Sequence, residues 1–382
     1  MKFSADKAML SEAVIGASKA CAVKTAFSAL DGVLLSLKGN SLTVTGYDLE
    51  TGIRVNIDVT GEADGEIIVE SRLFSDMIRR MPENAKITIE VKDGEKVSVS
   101  FDKIRLNIMG TKGENFPKIL ELNRNISFTM KEKTLRNMLS QIDHAIARKD
   151  VNPALMGARF DVEDNMLYIV ASDAVRLALR KEPLEHDDIG FIVPEKTVVE
   201  LTRNLSDSDE DCEVNIIIDR NQISFSKSNY TIISRLLDGK FVEYKKLVDT
   251  RAYREFTIST REFTDSLERS LLFINERFKS PVVCEINQDA GFIKLSCKTG
   301  LGEFDEELGI TKAGYKNNYQ PDSDNQKFCV AFNPRFMIDA LKNSHTDEVR
   351  LEFLTELAPI KILPPDPNNE EVLFVVVPVR LK

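Results

Sequence analysis

Leu42-Thr43-Val44-Thr45-Gly46-Tyr47-Asp48 returns as Leu167-Tyr168-Ile169-Val170-Ala171-Ser172-Asp173, an apolar run closing on an aspartate in both places. The lead-ins keep step: Gly32-Val33-Leu34-Leu35 precedes the first and Gly157-Ala158-Arg159-Phe160 the second, with 173 − 48 = 125 and 157 − 32 = 125. Phe3, Phe128 and Phe256 each open a Phe-Ser/Thr segment that runs into an amphipathic helix. Three copies of a unit of ordinary domain length account for nearly all 382 residues. The expectation is an α+β chain of three repeated domains, 1–125, 126–250 and 251–382, each with two helices on antiparallel sheets. Such a chain suits a segment of a ring better than a single-site enzyme.

Helices follow from the apolar spacing. Leu135, Met138, Leu139, Ile142 and Ile146 form one stripe, which predicts a helix over 131–148. Leu10, Val14 and Ala17 stripe the first copy, and Phe263, Leu267, Leu271 and Ile274 the third. Thr129 with Glu132, and Ser259 with Glu262, have the spacing of a capping box. A second helix per copy is read around Leu73, Met77 and Ile78, around Val198 and Leu201, and around Phe336, Met337 and Leu341; Pro194 and Pro334 suit helix starts. Between helices the period becomes two, as in Ile87, Ile89 and Val91 followed by Val97, Val99 and Phe101. Asp93-Gly94, Asp219-Arg220-Asn221 and Asp289-Ala290-Gly291 read as the hairpin turns. The polar stretch 311–327 reads as a mobile loop.

Composition bounds the function. Hydrophobic content of 42% and charge of 29% are those of an ordinary globular protein. Asp6 and Lys7 interrupt the N-terminus where a secretory signal needs apolar residues, and no apolar run reaches the ~20 residues of a membrane span, so a cytoplasmic protein is expected without a membrane partner. Five cysteines without a C-x-x-C pair, and three histidines, predict neither disulfide framework, metal site nor cofactor. Gly300-Leu301-Gly302 is followed by Asp305 where a dinucleotide fingerprint needs glycine, and no P-loop or G-x-S-x-G occurs. Asp48 and Asp173 recur at matching places and could suggest paired carboxylates for an enzyme. A residue repeated once per unit reads better as a turn-capping group.

The net charge of −10 disfavours nucleic acid only if the cations are scattered. Here they recur helix by helix: Lys24, Arg79 and Arg80, Arg148 and Lys149, Arg203, and Lys342 lie on or just beyond the striped helices. Singly, each completes a helix dipole. If the helices share one surface, together they form a sequence-blind lining for a phosphate backbone. The C-terminus adds a buried strand over Val372 to Val376, ended by Pro378, which leaves Val379, Arg380 and Leu381 near a surface as for a peptide groove.

These features resemble the bacterial DNA sliding clamps, the beta subunits of replicative DNA polymerase III. The matching residues are Met1-Lys2-Phe3, 42–50, 171–178, Leu237-Asp238-Gly239-Lys240-Phe241-Val242-Glu243-Tyr244 and Val377-Pro378-Val379-Arg380-Leu381. The resemblance implies a non-enzymatic processivity factor: a head-to-tail homodimeric ring on double-stranded DNA, helices lining the hole. It implies as partners the replicative polymerase catalytic subunit, a clamp loader and other clamp-binding polymerases and repair proteins. Their short hydrophobic peptides would dock on Leu155, Ser172, Val175, Arg176, Leu177, Val242, Lys246, Leu247, Phe278, Asn333, Phe336, and Val375, Val376, Val377, Pro378, Val379, Arg380 and Leu381. Ala174-Val175 stands for the family's frequent Gly-His, Val242 for Pro, Lys246 for Arg and Val377 and Val379 for Met, which alters the pocket's shape. Leu106 and Ile108 are implied to face Leu272 and Phe273 of a second copy. Competing readings are an adaptor that never encircles DNA and an enzyme using Asp48 or Asp173.

Overall fold

The computed structural model describes all residues except 23–26, 93, 120–121, 123–125, 151, 209–211, 249–250, 275–279, 289, 318–327 and 382. The first repeat runs β1 (Lys2–Asp6), α1 (Lys7–Ser18), β2 (Gly32–Lys38), β3 (Ser41–Tyr47), β4 (Thr51–Asp58), β5 (Thr60–Ala63), β6 (Gly65–Glu70), α2 (Ser71–Arg79), β7 (Lys86–Lys92), β8 (Lys96–Phe101), β9 (Ile104–Met109) and β10 (Thr111–Lys112). The second runs β11 (Ile126–Lys131), α3 (Glu132–Ile142), β12 (Gly157–Glu163), β13 (Met166–Ser172), β14 (Arg176–Pro183), β15 (Ile189–Pro194), α4 (Glu195–Asn204), β16 (Glu213–Asp219), β17 (Gln222–Lys227), β18 (Tyr230–Arg235) and α5 (Tyr244–Val248). The third runs β19 (Arg254–Ser259), α6 (Thr260–Ser270), β20 (Val282–Asn287), β21 (Phe292–Thr299), β22 (Gly302–Gly309), β23 (Lys312–Tyr315), β24 (Phe328–Phe332), α7 (Pro334–Ser344), β25 (Glu348–Phe353), β26 (Ile360–Leu363) and β27 (Val372–Val376). The 125-residue offset holds to the residue for β2 and β12, β3 and β13, and β4 and β14.

All pairing in the sheets is antiparallel, and the chain forms two compact units that cut across the repeat. One unit contains residues 1–134 and 206–236. In it a five-stranded sheet, β5-β1-β7-β8-β9, accompanies a nine-stranded sheet, β10-β6-β2-β3-β4-β18-β17-β16-β11. The other unit contains 135–205 and 237–382. Its nine-stranded sheet runs β15-β12-β13-β14-β27-β26-β25-β19-β23, beside the four-stranded β22-β21-β20-β24. Each nine-stranded sheet thus joins half of one repeat to half of the next, through β4 on β18 and β14 on β27. Helix pairs α1 with α2 and α6 with α7 pack over these sheets, and Leu10, Val14, Ala17, Phe263 and Leu267 of the predicted stripes are fully buried.

Several expectations change. The 131–148 helix stops at Ile142, because the Ile146 N–H turns back only three residues to Asp143 O and the Ala147 N–H leaves for Leu155 O. A 3₁₀ turn over 143–145 keeps Ala145 and Ile146 inward, so the stripe outlasts the α-helix that it predicted. Thr129 caps nothing: it is paired to Asn215 within β11, and the buried Glu132 carboxylate instead accepts from the Ser206 N–H (2.8 Å) and Lys227 Nζ (3.0 Å). Ser259 does cap α6, its hydroxyl accepting from the Glu262 N–H at 3.3 Å. The expected loop 311–327 begins as a strand, β23 on β19, and 318–327 lies outside the described residues. Asp93 and Asp289 of the turn readings also lie outside them, while Gly94 and Gly291 take the positive φ that their hairpins require (80° and 74°).

Candidate functional site

The repeated aspartates hold turns. Asp48 Oδ1 accepts from the N–H groups of Glu50 (3.0 Å) and Thr51 (2.6 Å), and Asp173 Oδ1 from those of Val175 (3.1 Å) and Arg176 (3.0 Å). Both turns pass a non-glycine residue through the left-handed region, Leu49 at φ 78° and Ala174 at φ 69°, which a side-chain acceptor stabilises. Carboxylates so engaged are committed to backbone geometry.

The second of these turns leads into the candidate partner groove. Leu177 lies opposite Val375 in the β14–β27 pair. Around them Leu155, Phe241, Tyr244, Leu179, Leu363 and Leu373 form one buried cluster, against which Val242 and Leu247 pack. The structure brings Leu155, Leu177, Val242, Leu247 and Val375 together, as a covered cluster: Leu155, Ser172, Leu177, Val375 and Val376 are all buried. The accessible rim is Val175, Lys246, Val379, Arg380 and Leu381. Past β27 the tail stays anchored, the Val377 N–H donating to Val175 O (3.0 Å) and the Val379 N–H to Ala331 O (2.7 Å), with Pro378 between them. Arg176 reaches back to helix α7: its guanidinium bonds Asp173 (2.9 Å) and Asp339 (2.5 Å) and lies 4.6 Å from the centre of the Phe336 ring. Asn333 accepts from the Arg335 N–H as the cap of α7 (3.0 Å). Phe278 lies outside the described residues.

Helix α5, which carries Leu247 over this face, escapes sequence reading. Five residues are too few for a stripe. It is held instead by distant partners: Tyr244 OH donates to Asp161 (3.0 Å), Lys245 pairs with Glu163, and Lys361 donates to Val248 O. Burial, with the Asp161 carboxylate beside it, pushes the Tyr244 hydroxyl well above its ordinary range, so this hydroxyl remains a donor at any working pH.

The basic residues divide. Arg79, Arg203 and Lys342 are exposed but pair with Asp76 (2.6 Å), Glu200 (3.2 Å) and Glu268 (2.6 Å). Arg80, Arg148 and Lys149 are exposed with no ion pair among the described residues, and Lys24 lies outside these.

A polar cavity of about 700 Å³ beside Arg148 and Lys149 is lined by Asp143, His144, Asp173, Arg176, Glu195 and Asp339, among others. His144 turns its ring toward Phe374, and its Nδ1 meets no hydrogen-bond partner among the described residues. Burial, reinforced by the Arg176 charge, pushes its pKa down from 6.5 to about 3. Between those values the unfolded chain binds a proton that the folded chain refuses, so stability falls as pH drops through the window, by at most about 1.4 kcal/mol per unit. His144→Gln is expected to flatten urea-unfolding stability between pH 6.5 and 4. Parallel curves for variant and wild type would mean that the ring is solvated.

Among the strands that end a sheet in the described residues, β9 and β22 lie at the edges equivalent to those used at the two junctions. Every residue of β9 except Ile108 is exposed, although Leu106 and Ile108 stand opposite Val99 and Val97 on the apolar face of the sheet. The other edge is β22, whose Glu303, Asp305, Glu306 and Glu307 make it acidic. Beside it Leu272 is 76% exposed, and the Phe273 ring stands against Gly302.

Comparison with known proteins covers the whole chain. Family models for the DNA polymerase III beta subunit match residues 1–120 (N-terminal domain), 129–243 (central domain) and 245–380 (C-terminal domain). The beta sliding clamp of Bacillus subtilis (strain 168) is 28% identical over 392 aligned positions, and that of Halalkalibacterium halodurans 27% over 396, each alignment covering 100% of both chains. The crystal structure of the Bacillus subtilis DNA polymerase sliding clamp superposes with a TM-score of 0.92 at 26% identity over 100% of both chains. A chain described as a DNA polymerase III beta subunit from Eubacterium rectale superposes with 0.90 at 29% identity over 99% of both.

Proposed function

Because the chain belongs to the family of DNA polymerase III beta subunits, the beta sliding clamps, we propose that it is the processivity factor of a replicative polymerase, a homodimeric ring that slides on duplex DNA. The observation that carries the ring is a shared register. Ile53 of β4 lies opposite Ile232 of β18, and Ala178 of β14 opposite Phe374 of β27. Ile53 and Ala178 are one position of the repeat, 178 − 53 = 125, so each repeat offers its first-half edge to the second-half edge of the next. Three repeats in a row leave one edge of each kind unused. These are β22 and β9.

The proposed third use of the same pairing extends this register from one copy to another. Phe304 faces Cys297 as Ile53 faces Gly46 and Ala178 faces Ala171, while Leu106 faces Val99 as Ile232 faces Phe225. Phe304 of one copy then meets Leu106 of another, Asp305 meets Arg105 and Glu307 meets Lys103. Gly302, against which Phe273 stands, meets Ile108, so Leu272 and Phe273 flank the seam. A head-to-tail contact of this kind either closes into a ring or continues into a filament, and two copies make six repeats of one geometry. The domains of that ring are 1–125, 126–250 and 251–382.

Topological linkage keeps such a ring on DNA while phosphate contacts from Arg80, Arg148, Lys149 and Lys24, helped by Arg79, Arg203 and Lys342, stay weak enough for sliding. The groove around Leu177 and Val375 tethers the polymerase catalytic subunit, the clamp loader and other clamp-binding polymerases and repair proteins. The loader supplies the energy for opening, since the sequence holds no P-loop. Loaded protein is expected to stay on a nicked circular plasmid through gel filtration and to leave once the plasmid is linearised. Equal loss from both forms would favour the adaptor that never encircles DNA.

A further inference from the structure

Helix α5 is placed by more than its own packing. Its five residues put Tyr244 into the apolar cluster, with Leu247 and Val248 against it. Yet a cavity of about 350 Å³ lies between α5 and the sheet, lined on one side by Tyr244, Lys245 and Val248 and on the other by Tyr168 and Leu179. A short helix over a void lacks opposing atoms on that side, so close packing cannot fix its position. Three side chains tie it down instead. Lys245 pairs with Glu163, but both are half-exposed, and such pairs contribute little. The other two ties are sheltered: at one end of α5 the Tyr244 hydroxyl donates to Asp161 Oδ2 (3.0 Å), and at the other the buried Lys361 donates to Val248 O.

The tyrosine tie is itself held. Arg159 grips the other carboxylate oxygen, Asp161 Oδ1, through Nε (2.7 Å) and Nη2 (2.6 Å), which leaves Oδ2 for the hydroxyl. Room for that grip comes from the neighbouring strand β15, where Gly190 lies opposite Asp161. A Cβ at residue 190 would overlap both Arg159 Nη2 and Asp161 Oδ1. None of Arg159, Asp161 and Gly190 belongs to the apolar cluster.

We propose that Arg159 and Asp161, with Gly190 making room for them, are positioning residues of the partner groove. Through the Tyr244 hydroxyl they fix Val242 on one side of it and Leu247 on the other, and so set how tightly an apolar peptide binds. The proposal rests on the groove around Leu177 and Val375 being the partner site. With the carboxylate gone, α5 shifts among several positions and the peptide has to settle it on binding. Apparent affinity then falls by the fraction of time that this wall stands in place.

Calorimetric titration of the full-length chain with a peptide copied from the polymerase catalytic subunit tests this. Tyr244→Phe removes one oxygen and is expected to weaken binding roughly tenfold, the scale of one hydrogen bond to a charged group. Asp161→Ala should do the same, and the double variant no more than either alone. Asp161→Asn, whose amide still bonds the hydroxyl, should recover most of the loss. Gly190→Ala meets only flexible side-chain ends and has no positive φ to satisfy, yet should weaken the peptide by displacing Arg159 and Asp161. In each weakened variant the backbone amides of 244–248 should exchange faster with deuterium while those of β13 do not, which separates a loosened α5 from a loosened domain. Wild-type affinity in either Asp161→Ala or Gly190→Ala, or losses that add in the double variant, overturns the positioning role. Should Gly190→Ala not fold, the Asp161 and Tyr244 variants decide alone. A wild type that binds no peptide overturns the partner groove, and the positioning role with it.

Discussion

Replacing Leu106 and Ile108 by alanine is expected to leave a folded monomer that no longer stays on circular DNA. In the single chain these side chains hold little together, since β9 is an edge strand with Leu106 exposed, so the circular dichroism spectrum and the unfolding midpoint should barely move. In the proposed ring they would become the centre of the seam, with Leu106 meeting Phe304, and Ile108 meeting Gly302 with Leu272 and Phe273 beside it. Truncating well-buried apolar side chains at an interface costs about 2 kcal/mol or more each, so the two together weaken each seam roughly a thousandfold, and a two-chain ring loses that at both of its seams. Leu272→Ala with Phe273→Ala attacks the same seam from the other side and should give the same sedimentation shift. The register can be checked by charge. Arg105→Asp faces Asp305 and should weaken the dimer, while adding Asp305→Arg restores an opposite pair at every seam. A double alanine variant that sediments as a dimer, or a charge swap that fails to rescue, would place the interface elsewhere.

The second large effect is electrostatic. Changing Arg80, Arg148 and Lys149 together to alanine should leave stability unchanged, because these cations are exposed and carry no ion pair among the described residues. Every phosphate that is no longer neutralised lowers the slope of log affinity against log salt by roughly 0.9 on duplex DNA, so removing three cations per chain lowers it by roughly five in a two-chain ring. The same change at Arg79, Arg203 and Lys342 should do less, since each already has a carboxylate within 3.2 Å that competes with phosphate. Exposed pairs of this sort exchange readily, so the effect is reduced rather than abolished. Equal slopes for the two triple variants would mean that the lining is not where the unpaired cations sit.

Much of the architecture is legible in the residues because a repeat carries its own control. The offset between Asp48 and Asp173 locates matching strands and matching turns, and the turn-capping role of both aspartates follows from chemistry that acts within three residues. Helix stripes are equally legible, since burial of one face is a local pattern. The errors fall where a distant atom outcompetes a near one. The helix from residue 132 ends at Ile142 because the Ala147 N–H finds Leu155 O, and Thr129 caps nothing because a strand partner, Asn215, claims its backbone. Helix α5 goes unseen for the same reason, being held by Asp161, Glu163 and Lys361 from other strands.

What the sequence determined by itself is the repeating unit, its helices and strands, and the turns that close on Asp48 and Asp173. Which strands meet between units was decided only by the tertiary structure: β4 on β18, β14 on β27, with β9 and β22 left over. Periodicity says which face of a strand is buried but not which neighbour completes its hydrogen bonds, because every antiparallel ladder makes the same backbone bonds whatever its side chains. The choice among edges belongs to packing across the whole sheet, and so the buried cluster around Leu177 and the unpaired edges of β9 and β22 had to be seen folded.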